Sequence, residues 1–125
     1  WFESFEDSAI TFFDYLFTLR MSEDGKALSD ELPTWGFGIE KRWADALRSK
    51  SLTLFPKFPS TRCVRTFIRL DVNEPVKDVI YIQIVLPILE YGYTIPGDIW
   101  GNQVAFVEEG GQGTIYAEVW VPIAK

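Results

Sequence analysis

Hydrophobic and polar positions change their period partway along the chain. Phe2, Phe5, Ala9, Phe12, Phe13, Leu16 and Leu19 recur at three-and-four spacing, which predicts a helix over Phe2–Met21 with Ser4 and Asp7 as a capping-box fragment. Ser22–Lys26 reads as a polar turn around Gly25, and Ala27–Leu32 as a further helical turn before Pro33. A second stripe of Ile39, Trp43, Ala46 and Leu47 predicts a helix over Ile39–Lys50. Phe55–Pro59 holds two prolines in five residues and reads as a connector. Beyond it the pattern becomes two-residue alternation. Strands are expected over Arg62–Val72, Val79–Leu89 and Thr114–Ile123, with a fourth over Gln103–Glu108. Asn73–Asp78 is expected to turn the first into the second, and Glu109–Gly113 to form a hairpin into the last.

Helices followed by closely spaced strands predict an α+β fold: two main N-terminal helices packed on one face of an antiparallel sheet of four or more strands. The chain's 125 residues fit a single domain, with a helical layer over about 1–55 and the sheet over about 61–124. One parity of the strands is aliphatic: Val64, Thr66, Ile68 and Leu70; Ile80, Ile82, Ile84 and Leu86; Ile115, Ala117, Val119 and Val121. That face belongs under the helices. The other parity carries Arg65, Phe67, Arg69 and Asp71; Tyr81 and Gln83; Tyr116, Glu118 and Trp120. A face this aromatic and charged suits neither a core nor a plain solvated surface. Function is expected there.

Composition narrows the chemistry. With 47% hydrophobic and 16% aromatic residues, the chain has the apolar surface that disordered segments lack. The apolar stretch Val79–Leu89 is broken by Gln83 and Pro87 and is shorter than the roughly 20 residues of a bilayer span, so no membrane partner is expected. A net charge of −6 without a basic stripe argues against direct nucleic-acid binding and favours cations. Histidine is absent, which removes Ser-His-Asp and Cys-His catalysis and the histidine-based zinc hydrolases. An acid–base catalyst would have to be Asp, Glu, Lys, Tyr or Cys63, and the balance tilts away from an enzyme. One cysteine excludes an internal disulfide and paired-cysteine metal sites, and Cys63 is expected as a small buried residue in a strand. No cofactor or metal is implied, and a cytoplasmic setting is the expectation. The chain begins at Trp1, so an upstream residue or segment is expected to be missing; the acidic, aromatic start does not read as a targeting peptide.

Other motifs resolve into ordinary turns. Thr34–Lys41 sets two glycines before Lys41 and Arg42 and is read as a helix-entry turn in preference to a phosphate site. Asp71–Pro75 begins like a calcium loop but lacks the turning glycine and closing glutamate. Tyr91–Trp100 is an aromatic, glycine-punctuated loop suited to lining a pocket or plugging the end of the sheet. Tyr81–Ile88 and Tyr116–Ile123 share one pattern 35 residues apart: Tyr, any residue, Gln/Glu, Ile/Val, any, Leu/Val, Pro, Ile. Either two half-buried strands of one sheet share a pattern, or the chain holds two related halves.

Tyr116–Ile123 resembles the closing strand of the gyrase-inhibitor-like effector-binding domains attached to AraC- and MerR-type regulators. That family is built from two βαββ halves and binds drug-like, often cationic, molecules between them with a glutamate and aromatic walls. The resemblance covers about a fifth of the chain and reaches Glu118, Trp120 and, as an echo, Gln83. The departures are the missing strand before the first helix and the short segment between Leu89 and the last hairpin. Element order is also similar to the SnoaL-like and nuclear-transport-factor-like cone folds, whose enzymes often use a His–Asp pair. Here Asp71 would stand alone, with Tyr81 or Tyr116 as hydrogen-bond donor.

The leading expectation is a non-enzymatic module that binds a small organic molecule, cationic or aromatic, on the polar–aromatic face. Its candidate residues are Glu118, Trp120, Tyr116, Tyr81, Gln83 and Arg69, with Tyr93 and Trp100 from the loop. Carboxylate and ring quadrupole both attract an organic cation. The alternatives are a histidine-free cone-fold enzyme with Asp71 and Tyr81, and an interaction protein that uses the same face to form a homodimer.

Overall fold

Alternation over the second half of the chain builds what it predicts at three of four places. In the computed structural model, which describes residues 13–39 and 61–125, the strands are β1 (Phe13–Leu19), β2 (Thr34–Ile39), β3 (Cys63–Asp71), β4 (Ile99–Glu109) and β5 (Gln112–Pro122). They form one antiparallel sheet in the order β2-β1-β4-β5-β3. Between β3 and β4 runs a helical segment, α1, over 76–90: α-helical at Val76–Ile80, π-helical at Tyr81–Val85 and α-helical again at Leu86–Glu90.

The aliphatic parity of β3 and β5 lies where expected. Ile68, Leu70, Ala117, Val119 and Val121 are buried, in register Ile68↔Ala117, Leu70↔Ile115 and Val64↔Val121. Phe17 and Leu19 of β1 and Ile99 of β4 continue this inner face. From α1, Ile80, Ile84, Val85 and Ile88 close over it. Each such side chain taken from water contributes about 1.5–3 kcal/mol. Gly101 pairs with Phe17 across β1 and β4, and a Cβ there would lie 2.3 Å from Phe17 Cζ. The glycine makes room for the ring.

The predicted pair of N-terminal helices on a sheet of four or more strands is corrected. Phe13–Leu19, part of the first predicted helix, is a strand, and Ile39, the first residue of the second, ends β2. Residues 2–12 and 40–59, with the rest of both helices and the Phe55–Pro59 connector, lie outside the described residues. Phe13, Tyr15, Phe17 and Leu19 also satisfy a two-residue period, and pairing with β2 and β4 on both sides selects it. Thr34–Ile39 alternates small Thr34, Gly36 and Gly38 with Trp35, Phe37 and Ile39, which is a strand pattern and not a helix entry. Leu16 fills the space beside Gly38, where a Cβ would come within 2.1 Å of Leu16 Cδ1. Ala27–Leu32 forms no helical turn; Leu28 bridges Met21 instead.

Val79–Leu89 is the second correction, being helix and not strand. Pro75 stands at its N-cap. Gly92, at φ +88, closes it with a Schellman pair: Tyr93 N–H donates to Ile88 O at 3.3 Å and Gly92 N–H to Leu89 O at 3.0 Å. The π-helical turn stands immediately before the turn containing Pro87, which cannot donate and whose ring crowds the carbonyl four residues back in a regular α-helix. Tyr81–Ile88 and Tyr116–Ile123 therefore share a sequence pattern and not a conformation.

The β4–β5 hairpin follows the sequence. Glu109 pairs with Gln112 around Gly110 and Gly111, at φ +57 and +78, the geometry of a type I′ turn. Val104 is an extra residue between Gln103 and Ala105, a bulge that moves Ala105 opposite Tyr116. The Ser22–Lys26 turn also forms, and Ile95 N–H donates to Gly25 O at 3.1 Å. Lys77 Nζ of α1 donates to the carbonyls of Ser29 and Glu31, tying this loop to the helix. Among the described residues no helix is long and apolar enough to cross a membrane.

Candidate functional site

The outer face of the sheet is ordered by strand register. One row runs Thr34, Thr18, Trp100, Trp120, Arg65; the next runs Gly36, Leu16, Asn102, Glu118, Phe67. Trp100 and Trp120 stack with ring centroids 4.3 Å apart and planes 12° from parallel. A cross-strand aromatic pair of this kind stiffens β4 against β5.

Glu118 is the unusual member. Among the described residues it is the one charged side chain in the buried class, 8% exposed. Arg65 of β3 reaches its Oε1 with Nε, while the Arg65 side chain itself is 61% exposed. Arg65 Nε–H is a donor in contact with that oxygen, so the buried carboxylate is ion-paired to a cation that itself faces solvent. Asn102 stands directly opposite in the β4–β5 register, and its Oδ1 is buried without a hydrogen-bond donor. The Asn102 carboxamide carries an NH2 donor as well as this acceptor. Leaving a buried acceptor unpaired costs about 1–3 kcal/mol, more when it is charged.

The other candidates spread out from this centre. Tyr116 is exposed on β5, opposite Arg69. Arg69 is ion-paired at 3.9 Å to Asp71, both side chains being exposed, and Thr114 Oγ1 donates to Asp71 Oδ1 at 3.4 Å. Tyr81 and Gln83 belong to α1, on the opposite side of the sheet from Glu118: Tyr81 packs against the core and Gln83 is exposed. Tyr93 sits in the connector before β4, with Lys125 Nζ 5.1 Å and Arg62 Cζ 6.0 Å from its ring centroid. Trp100 joins Trp120. Cys63, expected to be buried, is exposed at the first position of the end strand β3.

Two further residues belong to the centre. Asn102 fell outside the strand predicted to start at Gln103; the alternation Trp100, Asn102 after buried Ile99 and Gly101 carries the missed signal. Arg65 was legible as a face residue, but its partner was not. Open depressions lie elsewhere: one of about 310 Å³ is lined by Arg69, Val107, Glu109, Gln112, Thr114 and Tyr116, another of about 390 Å³ by Lys26, Leu89, Gly92, Tyr93 and Thr94. Neither includes Glu118 or Asn102, whose acceptors are closed from solvent. The buried Glu118 carboxylate is the stronger functional signal, because burying a charge has an energetic cost that an open depression lacks. Among the described residues no three His, Cys, Asp or Glu side chains converge to hold a metal ion.

Compared with protein-family models, curated proteins and solved structures, the chain matches none.

Proposed function

We propose that the chain is a non-enzymatic binding module for a small organic cation, held on the outer sheet face around Glu118. The observation that carries the reading is the buried Glu118 carboxylate, ion-paired to the exposed Arg65, with Asn102 opposite and the Trp100–Trp120 stack beside it. A ligand that brings positive charge and N–H donors suits the carboxylate and the Asn102 Oδ1 acceptor. A cation well placed against the Trp120 indole next to the carboxylate would gain about 0.5–2 kcal/mol.

A titration of cationic aromatic compounds followed by tryptophan emission tests it. The expected result is a saturable change that Glu118→Gln weakens by about tenfold or more, as loss of a charge-assisted contact implies. No saturable response, or one undiminished in Glu118→Gln, overturns the proposal. A second reading is favoured by Phe67 and Tyr116, exposed on the same face: a self-complementary contact between two copies. Light scattering decides it, since a 14.4 kDa species at every concentration removes the dimer.

A further inference from the structure

The basic side chains of the described residues are unevenly employed. Arg20, Arg65 and Arg69 are ion-paired to Glu31, Glu118 and Asp71, and Lys77 Nζ donates to the carbonyls of Ser29 and Glu31. The basic residues that remain among the described ones are Lys26, Arg62 and Lys125, all exposed. All converge on Tyr93. Lys125 Nζ lies 5.1 Å and Arg62 Cζ 6.0 Å from its ring centroid. Lys26 and Tyr93 line the same depression of about 390 Å³, together with Leu89, Gly92 and Thr94.

Backbone hydrogen bonds fix where these groups stand. Thr94 and Ala124 exchange N–H···O bonds of 2.8 and 3.0 Å, Ile123 N–H donates to Arg62 O at 3.0 Å, and Ile95 N–H donates to Gly25 O at 3.1 Å. The ring and each cation are therefore carried at, or one residue from, a pinned position. Like charges gathered around one ring repel, although a chain of net charge −6 has carboxylates to spare. Asp24 acts on Lys26 only through space, because its carboxyl takes hydrogen bonds from the Ser22 hydroxyl and the Lys26 backbone N–H. A multivalent anion answers this arrangement: guanidinium binds phosphate as a fork and ammonium as a point charge. Leu89 and Tyr93 supply an apolar wall, and the volume falls in the small-molecule range of about 300–1,000 Å³.

We propose that the Tyr93 depression is a second binding site, for a phosphomonoester with a flat apolar body. The phosphoryl group sits among Lys26, Arg62 and Lys125, and the body lies against Leu89 and Tyr93. Calorimetric titration above the second phosphate pKa of about 6 tests this with phenyl phosphate, benzoate and inorganic phosphate. Benzoate keeps the ring with a single charge, and inorganic phosphate keeps the charge without the ring. Phenyl phosphate is expected to bind saturably, about tenfold or more tighter than either. Lys26→Gln and Lys125→Gln are each expected to weaken it by about threefold or more, whereas Arg20→Gln, which removes the same charge from outside the depression, leaves it unchanged. No saturable binding of phenyl phosphate, equal binding of the three anions, or an equal loss in Arg20→Gln overturns the site. Each of these outcomes leaves the Glu118 reading as it was, since that reading concerns a cation on another face.

Discussion

Gly25 shows how one backbone position holds a loop to the core. Its φ is +68, and a Cβ would lie 2.6 Å from the carbonyl oxygen of Ile95, a fully buried residue. Gly25→Ala is expected to cost about 1–3 kcal/mol, read as a lower urea midpoint with an unchanged slope. In the same turn, hydrogen bonds from the Ser22 hydroxyl and then the Lys26 N–H hold the Asp24 carboxyl below its ordinary 3.8. A carboxyl lowered in the folded state stabilises it above the unfolded pKa, and that contribution is lost as pH falls through the folded value. A carbon-detected NMR titration is expected to place the Asp24 midpoint below 3.8, and Ser22→Ala is expected to move it upward.

At the scale of elements, α1 gives the sharpest contrast between the two periods. Alternation puts Ile80, Ile82, Ile84 and Leu86 on one face; the helix buries Ile80, Ile84, Val85 and Ile88 and leaves Ile82 64% exposed. Ile84→Ala is expected to cost about 2–5 kcal/mol and Ile82→Ala within about 0.5 kcal/mol, measured by chemical denaturation. Equal costs would restore the strand. Isoleucines at 80, 84 and 88 satisfy both periods, so composition alone could not decide between them. The punctuation could: Pro75 before the segment and Gly92 after it are helix boundary signals. In β3 and β5 no such ambiguity existed, because polar residues fill the alternate positions, and both faces were legible down to Glu118 and Trp120. Phe13–Leu19 failed for the reason α1 did, since its apolar residues fit a helix until β2 and β4 are known to flank it. Asn102 could not be placed without the β4–β5 register, which depends on the bulge at Val104.

Across the whole molecule, the sheet separates two kinds of chemistry. Its inner face and α1 form a dry aliphatic layer that accounts for folding. Its outer face buries the Glu118 carboxylate, ion-paired to Arg65, and the Asn102 carboxamide oxygen. The acidic balance of the chain, −6 overall, draws cations toward it at long range. Solution NMR of the ¹⁵N-labelled protein locates the site most directly, by following the indole N–H signals of Trp100 and Trp120 and the side-chain amide of Asn102 during addition of benzamidinium. The account predicts saturable shifts of these three groups with a common midpoint, absent in Glu118→Gln. Shifts that map to α1 or to the Tyr93 depression while these three stay fixed would contradict it.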